Sequence, residues 1–192
     1  AREKRSLIMD ILNENPRDYV EFLQKAGNND DTEVVHYAVT AMVEISKEND
    51  YTLQMLEAEY AASPRDLDVL SRYCDFLWSC LSQDLMQGQV EVMNRVLFSK
   101  LTQEKLTIEE SLEDYCRLVQ NELARKNPDG VKSALGRMKK EWSQTEEYIL
   151  LYIEYLALMN KGTEIKKFIK KVNGSQIFLS SQTKEVLAFW TD

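Results

Sequence analysis

The sequence has few of the residues that interrupt helices or build enzyme centres. Six glycines and three prolines in 192 residues are too few for a β-sandwich or another turn-rich fold. One histidine, His36, and three cysteines exclude most metal sites and catalytic triads, because these need several such ligands or a histidine beside a nucleophile. The sequence therefore favours a helical protein without catalytic residues or a metal.

The cysteines also indicate the compartment. Cys74, Cys80 and Cys116 are odd in number and lack zinc-site spacing. Each lies in an apolar stripe, as Cys74 and Cys80 do on either side of Leu77, so we interpret them as small buried hydrophobic residues. No disulfide framework is implied, and we predict a reducing, cytoplasmic location.

No apolar run is long enough to cross a bilayer. The longest runs from Tyr148 to Met159 and is interrupted by Glu154, whereas a spanning helix needs about 20 residues. This segment is apolar on most faces, so we expect a helix sandwiched between neighbours. The basic residues Arg2, Lys4 and Arg5 resemble the cluster that follows a membrane helix on its cytoplasmic side. We therefore expect a membrane tether upstream of Arg2.

The charge is acidic overall and unevenly distributed. A net charge of −8 argues against nucleic-acid binding. Residues 1–60 carry 6 basic and 13 acidic side chains, whereas residues 128–192 carry 10 basic and 8 acidic ones. The candidate partner-binding residues are the lysines of this basic region, Lys161, Lys166, Lys167, Lys170 and Lys171. They form either a solvated helix face or a patch for an acidic protein or an anionic membrane.

Apolar residues recur with a period of 3.6 along nearly the whole chain, which predicts about eleven helices and no strand. The first helix covers 7–12, and the stripes at 34–45 and 53–60 count as two. Three helix starts show a cap residue followed by proline: Asn15-Pro16, Ser63-Pro64 and Asn127-Pro128. The acidic pairs Glu109-Glu110 and Glu146-Glu147 are also expected at helix starts.

This pattern predicts an all-α fold of one domain over residues 1–192. Short connections favour stacked antiparallel helical hairpins, an α-solenoid, and a closed bundle is the competing arrangement. The prolines at 16, 64 and 128 are separated by 48 and 64 residues, and such unequal spacing indicates degenerate repeats.

Two segments resemble known helical repeats. Tyr19 to Ile45 contains an apolar helix, a turn and then Asp31-Thr32-Glu33-Val34-Val35-His36-Tyr37-Ala38. This resembles a HEAT repeat, whose second helix typically begins Asp-x-x-Val-Arg-x-Ala, with His36 in place of the arginine. Glu146 to Val172, with the turn Asn160-Lys161-Gly162, resembles a tetratricopeptide (TPR) unit. We therefore expect a HEAT-like part over 1–60 and a TPR-like part over 61–192.

The order of a HEAT-like unit before TPR-like units is similar to that in PelE-like proteins of bacterial Pel polysaccharide secretion. In that family a helical-repeat region follows membrane helices and serves as a scaffold. The resemblance implies a non-enzymatic protein-interaction module with no cofactor, bound to other proteins of unknown identity and forming the cytoplasmic part of a membrane-tethered secretion component.

Two alternatives stay open. One is a helical enzyme with an unrecognised carboxylate site, which convergent carboxylates or a deep polar pocket would favour. The other is an electrostatic binder of membranes or RNA, since aromatic and basic residues are interleaved. A long shallow groove would instead favour the interaction module. His36 shares the polar side of its helix with Thr40 and Lys47, so we expect it at the surface.

Overall fold

The computed structural model describes residues 19–191, which form nine α-helices and no strand. The all-α class is therefore confirmed for this part of the chain. The predicted helix over 7–12 and the start at Asn15-Pro16 lie outside the described residues. The helices are α1 (Val20–Ala26), α2 (Thr32–Ala62), α3 (Leu67–Ser82), α4 (Gly88–Ile108), α5 (Leu112–Ala124), α6 (Pro128–Trp142), α7 (Glu146–Leu158), α8 (Gly162–Asn173) and α9 (Ser181–Phe189).

Helix α2 corrects the prediction of two helices at 34–45 and 53–60. Both stripes lie in one helix of 31 residues, because the polar segment between them contains no glycine or proline to end it. Within that segment the Lys47 ammonium pairs with the Glu44 carboxylate at 2.7 Å. Lys47, Glu48 and Asp50 are exposed here while Asn49 is buried, so the polar segment is one stretch of a continuing helix.

The proline starts have two different outcomes. Asn127-Pro128 is confirmed, since the Asn127 side chain accepts a hydrogen bond from the Gly130 N–H at 3.3 Å and proline is the first helical residue. Ser63-Pro64 is wrong as a start. Ser63 ends α2, and Asp66 caps α3 by accepting from the N–H groups of the second and third helical residues, because its short carboxylate can reach both.

The two acidic pairs expected at helix starts also have different outcomes. Glu146 and Glu147 lie in the first turn of α7, as expected. Glu109 and Glu110 precede the helix instead, because Ser111 is the cap of α5 and its hydroxyl accepts from the Asp114 N–H at 3.2 Å.

The chain divides into two compact units, Ala1–Glu91 and Val92–Asp192, with the boundary inside α4. In the first unit, α2 contacts both α1 and α3. Leu23 of α1 packs with Ala38, Ala41 and Ile45 of α2, which is the segment that resembles a HEAT repeat. The division predicted at residue 60 falls inside α2. That division and the single-domain assignment stay predictions.

In the second unit, α5 contacts α6 and α7, and α7 also contacts α6 and α8. Two apolar clusters meet at α7. Leu151 belongs to a cluster built mainly from α5 and α6, whereas Ile149 and Ile153 belong to one built with α8 and α9. The expectation that this helix is sandwiched is confirmed. Each fully buried aliphatic side chain contributes about 1.5–3 kcal/mol to folding, so α7 is held firmly on both sides.

The cysteines lie where an interior hydrophobic residue would. Cys74 and Cys80 are buried, Cys116 is half-buried, and none of the three is in a disulfide. Burial, together with the nearby Glu147 and Glu113 carboxylates, raises the pKa of the Cys116 thiol to about 11. This thiol is protonated at neutral pH and therefore a poor nucleophile.

Candidate functional site

A row of aromatic rings follows one face of α7. Tyr148, Tyr152 and Tyr155 are spaced four and three residues apart, so their side chains are neighbours on the helix surface. The Tyr148 and Tyr152 rings stack with centroids 5.9 Å apart, and Tyr152 and Tyr155 are 6.3 Å apart. Phe168 of α8 meets Tyr152 edge-on at 4.7 Å. The four rings form one continuous aromatic surface between α7 and α8.

Two adjoining cavities open along this row. One has a volume of about 350 Å³ and the other about 320 Å³, and Lys139, Tyr148 and Tyr152 line both. Since they share these three residues, we describe the two cavities together as one groove between α6, α7 and α8. We call this the tyrosine groove.

The two ends of the tyrosine groove differ in their lining. The larger cavity has an apolar lining completed by Phe168, Val172 and Ile177, with Lys139 and Lys171 beside it. We call it the apolar end. The smaller cavity is lined instead by Leu135 and Leu156 together with Lys132, Lys161 and Glu164. We call it the basic end.

The groove carries an excess of positive charge. Four lysines line it, Lys132, Lys139, Lys161 and Lys171, against one carboxylate, that of Glu164. This carboxylate lies 3.3 Å from the Lys161 ammonium. The other three lysines form no ion pair within the described part of the chain, so their charges are available to a bound molecule.

The Tyr148 phenol is uncharged at neutral pH. Burial raises the pKa of the Tyr148 hydroxyl, which is 5% exposed as a residue, and the neighbouring Tyr152 raises it further. A neutral phenol both donates and accepts a hydrogen bond. The row therefore offers apolar ring faces together with polar hydroxyl groups.

The five lysines predicted from the sequence are all exposed, but the structure divides them. Lys161 and Lys171 line the tyrosine groove. Lys166, Lys167 and Lys170 do not, and the Lys166 ammonium donates to the Thr191 carbonyl oxygen at 3.4 Å. Their assignment as partner-binding residues stays a prediction.

Sequence reasoning missed Lys132, Lys139 and the tyrosine row. The two lysines are seven residues apart on α6, so they occupy one face two turns apart. This spacing can be read from the sequence. The tyrosines fall within an apolar helix, so hydrophobic periodicity alone does not distinguish them from core residues. Tyr148 is buried in the cluster built mainly from α5 and α6, whereas Tyr152 and Tyr155 are only partly buried.

Carboxylates elsewhere in the second unit hold structure. The Glu146 carboxylate accepts hydrogen bonds from the Ser180 N–H, the Ser180 hydroxyl and the Thr183 hydroxyl, which connects α7 to the start of α9. These bonds lower the pKa of Glu146.

A further cavity of about 380 Å³, lined by α4, α5 and α6, has Glu104 as its one acidic lining residue beside Lys100 and Arg137.

Other sequence expectations concern metals, membranes and His36. No three His, Cys, Asp or Glu side chains between residues 19 and 191 converge as a metal site would require. Across the same residues, no helix combines the length and apolarity needed to cross a bilayer. His36 is exposed on α2 beside the ring of Tyr37, with centroids 5.8 Å apart, as expected.

No family model, curated protein or solved structure matches this chain. The resemblance to PelE-like scaffolds therefore stays a prediction from the sequence, and the tyrosine groove is interpreted from its own geometry.

Proposed function

We propose that this chain is a non-enzymatic protein-interaction module that binds a segment of a partner protein in the tyrosine groove. The observation that carries the proposal is the continuous row of Tyr148, Tyr152, Tyr155 and Phe168 beside two open cavities. Tyrosine is enriched at protein interfaces because its ring buries a large apolar area while its hydroxyl keeps a polar partner.

The enzyme alternative requires reactive groups that converge, and the groove lining does not supply them. Glu164 is its one carboxylate, so a pair of carboxylates for acid–base chemistry is not formed there. The lining consists instead of aromatic and aliphatic side chains with lysines beside them, which suits binding rather than proton transfer.

The repeat architecture is part of the proposal. The connections preceding α6, α7 and α8 are three residues each, at 125–127, 143–145 and 159–161, and such short links join antiparallel neighbours. Helix α5 contacts both α6 and α7, as a helix does in stacked hairpins. A TPR-like stack of α5–α8 would place the groove on the open surface that such stacks use for binding. In the first unit, α1 and α2 would form a HEAT-like hairpin.

Peptide display tests this function without a known partner. Peptides selected on the wild-type protein are measured again on Gly136→Trp, because Gly136 lines the basic end and a side chain there has open space around its Cβ. The matched control is Gly162→Trp, which also has open space but does not line the groove. We expect Gly136→Trp to weaken binding at least tenfold and Gly162→Trp to leave it unchanged. Equal binding by both variants would contradict the proposal.

A location beside a membrane is proposed from the HEAT-like then TPR-like order alone, by the resemblance to PelE-like secretion scaffolds. A tethered module would hold its groove at high effective concentration near membrane partners. Fractionation of the full-length protein tests this location: we expect it with the membranes, and its complete recovery in the soluble fraction would refute the tether while leaving the groove proposal intact.

A further inference from the structure

We infer that the segment bound by the tyrosine groove is an acidic peptide with one large apolar side chain among its carboxylates. The apolar side chain would occupy the apolar end, and the carboxylates would pair with Lys132, Lys139 and Lys171. This inference rests on the proposed function and adds the chemical class of the partner.

The charge of the groove is opposite to that of the chain that builds it. The chain has a net charge of −8, yet the groove lining holds four lysines and one glutamate. With Glu164 paired to Lys161, three ammonium groups remain for a ligand. Complementary charge raises the rate of association and disfavours partners of like charge, so a basic or neutral segment would gain less here.

The apolar end determines the second part of the inference. Phe168, Val172 and Ile177 line it together with Tyr148 and Tyr152. A carboxylate buried among these side chains would lose its hydration without gaining equal partners. A leucine or phenylalanine side chain would instead remove apolar area from water, which favours binding. Lys139 and Lys171 stand beside the same cavity, so acidic residues are expected next to the apolar one.

The spacing of the lysines on α6 limits the spacing of the carboxylates. Lys132 and Lys139 are seven residues apart, which corresponds to about 10 Å along a helix axis. An extended peptide covers this distance in about three residues. The expected pattern is therefore two acidic residues about three positions apart, with the apolar residue toward the Lys139 and Lys171 side.

An anionic membrane is the competing ligand for these lysines. A flat bilayer surface would engage the exposed Lys166, Lys167 and Lys170 on α8 at least as well as Lys171. The lysines of the groove, by contrast, come from α6, from the start of α8 and from its last turn, around a row of tyrosines. This arrangement favours a narrow ligand that enters between the helices.

The test measures anisotropy of a fluorescent peptide, Gly-Ser-Asp-Glu-Phe-Asp-Glu-Ser-Gly, on the whole chain. Two comparison peptides carry Asn and Gln in place of Asp and Glu, or Ser in place of Phe. The protein variants are Lys139→Glu and Lys171→Glu, with Lys170→Glu as the matched control, since Lys170 is the neighbour of Lys171 on the same helix and lies outside the groove.

We expect the acidic peptide to bind at least tenfold more tightly than either comparison peptide. Lys139→Glu and Lys171→Glu should each weaken it at least tenfold, while Lys170→Glu changes it less than twofold. No binding of the acidic peptide at about 1 mM, equal binding of the neutral peptide, or equal loss in Lys170→Glu would overturn the inference. Vesicles with phosphatidylserine that bind the wild type and are lost equally in Lys170→Glu and Lys171→Glu would overturn it in favour of a membrane.

This inference and the proposed function fail differently. If display yields peptides whose binding is weakened by Gly136→Trp but which lack acidic residues, the acidic class of partner is wrong and the proposal of an interaction module stands. If Gly136→Trp weakens the binding of no selected peptide, the proposed function itself is refuted.

Discussion

Alanine should have opposite effects at Gly130 and Gly136, although both lie on α6. A Cβ at Gly130 would stand 2.5 Å from the Glu122 Oε2 atom and 2.7 Å from the Asn127 Nδ2 atom. Glu122 is 1% exposed, and its carboxylate accepts hydrogen bonds from the Ser99 hydroxyl, the Arg125 guanidinium at 2.7 Å and the Asn127 amide at 2.6 Å. The carboxylate is therefore fixed and cannot move aside.

The magnitudes follow from these surroundings. At Gly136 a Cβ meets nothing within 4 Å, so alanine should stabilise the protein by about 1 kcal/mol through its higher helix propensity. At Gly130 the same gain is opposed by crowding of about 1–3 kcal/mol and by a weakened hydrogen bond to a buried charge, worth about 1.5–3 kcal/mol. We expect a net loss of about 2 kcal/mol.

Urea unfolding followed by tryptophan fluorescence, to which Trp142 at the end of α6 contributes, measures both changes. In thermal unfolding, a chain of 192 residues should shift its midpoint by about 2–4 °C per kcal/mol, upward for Gly136→Ala and downward for Gly130→Ala. A rise in both variants would refute the reasoning, because it would mean that the Glu122 carboxylate yields without cost.

Three further predictions concern the second unit. Ile169→Ala should lower the unfolding free energy by about 2–5 kcal/mol in urea, since this side chain is fully buried between α7, α8 and α9; a loss below about 1 kcal/mol would contradict that packing. Glu146→Gln should lower the hydrogen-exchange protection factors of α9, which correct for the pH dependence of intrinsic exchange, and acidification should lower them in the wild type. Because the folded pKa of Glu146 is lowered, its stabilisation is present above the unfolded pKa and lost as pH falls through the folded pKa. Protection factors in α9 that change neither with the substitution nor with the lower pH would refute the role of Glu146. Iodoacetamide at pH 8 should modify Cys116 at least 100-fold more slowly in the native than in the urea-unfolded chain, because the raised pKa of about 11 leaves little thiolate. Equal rates in mass spectra would show that the thiol is more exposed than described.

The sequence determined much of the fold because its signals are local. Asp31 caps α2 by accepting from the Glu33 and Val34 N–H groups, and Asn127-Pro128 starts α6; both are visible as short patterns. The fusion of two stripes into α2 was not foreseen, because the polar residues between them resemble a loop when only hydrophobicity is read. Helix propensity and the absence of glycine and proline decide that case.

The site was less predictable because it depends on which outward faces converge. The sequence placed Lys161 and Lys171 among the candidate lysines but could not separate them from Lys166, which faces the end of α9. It also could not bring Lys139 of α6 beside them, since that requires the packing of α6 and α8 on α7. Periodicity identifies the face that a helix buries, whereas a groove is defined by neighbouring helices.

The most direct test of the interaction proposal is an NMR titration of the isotope-labelled chain with a peptide selected by display. We expect the amide shifts to concentrate on the residues that line the tyrosine groove in α6, α7 and α8, including Gly136, Lys139 and Tyr152. Shifts confined to the outer lysines Lys166, Lys167 and Lys170, or to helices of the first unit, would contradict the account, because the peptide would then bind a surface other than the groove.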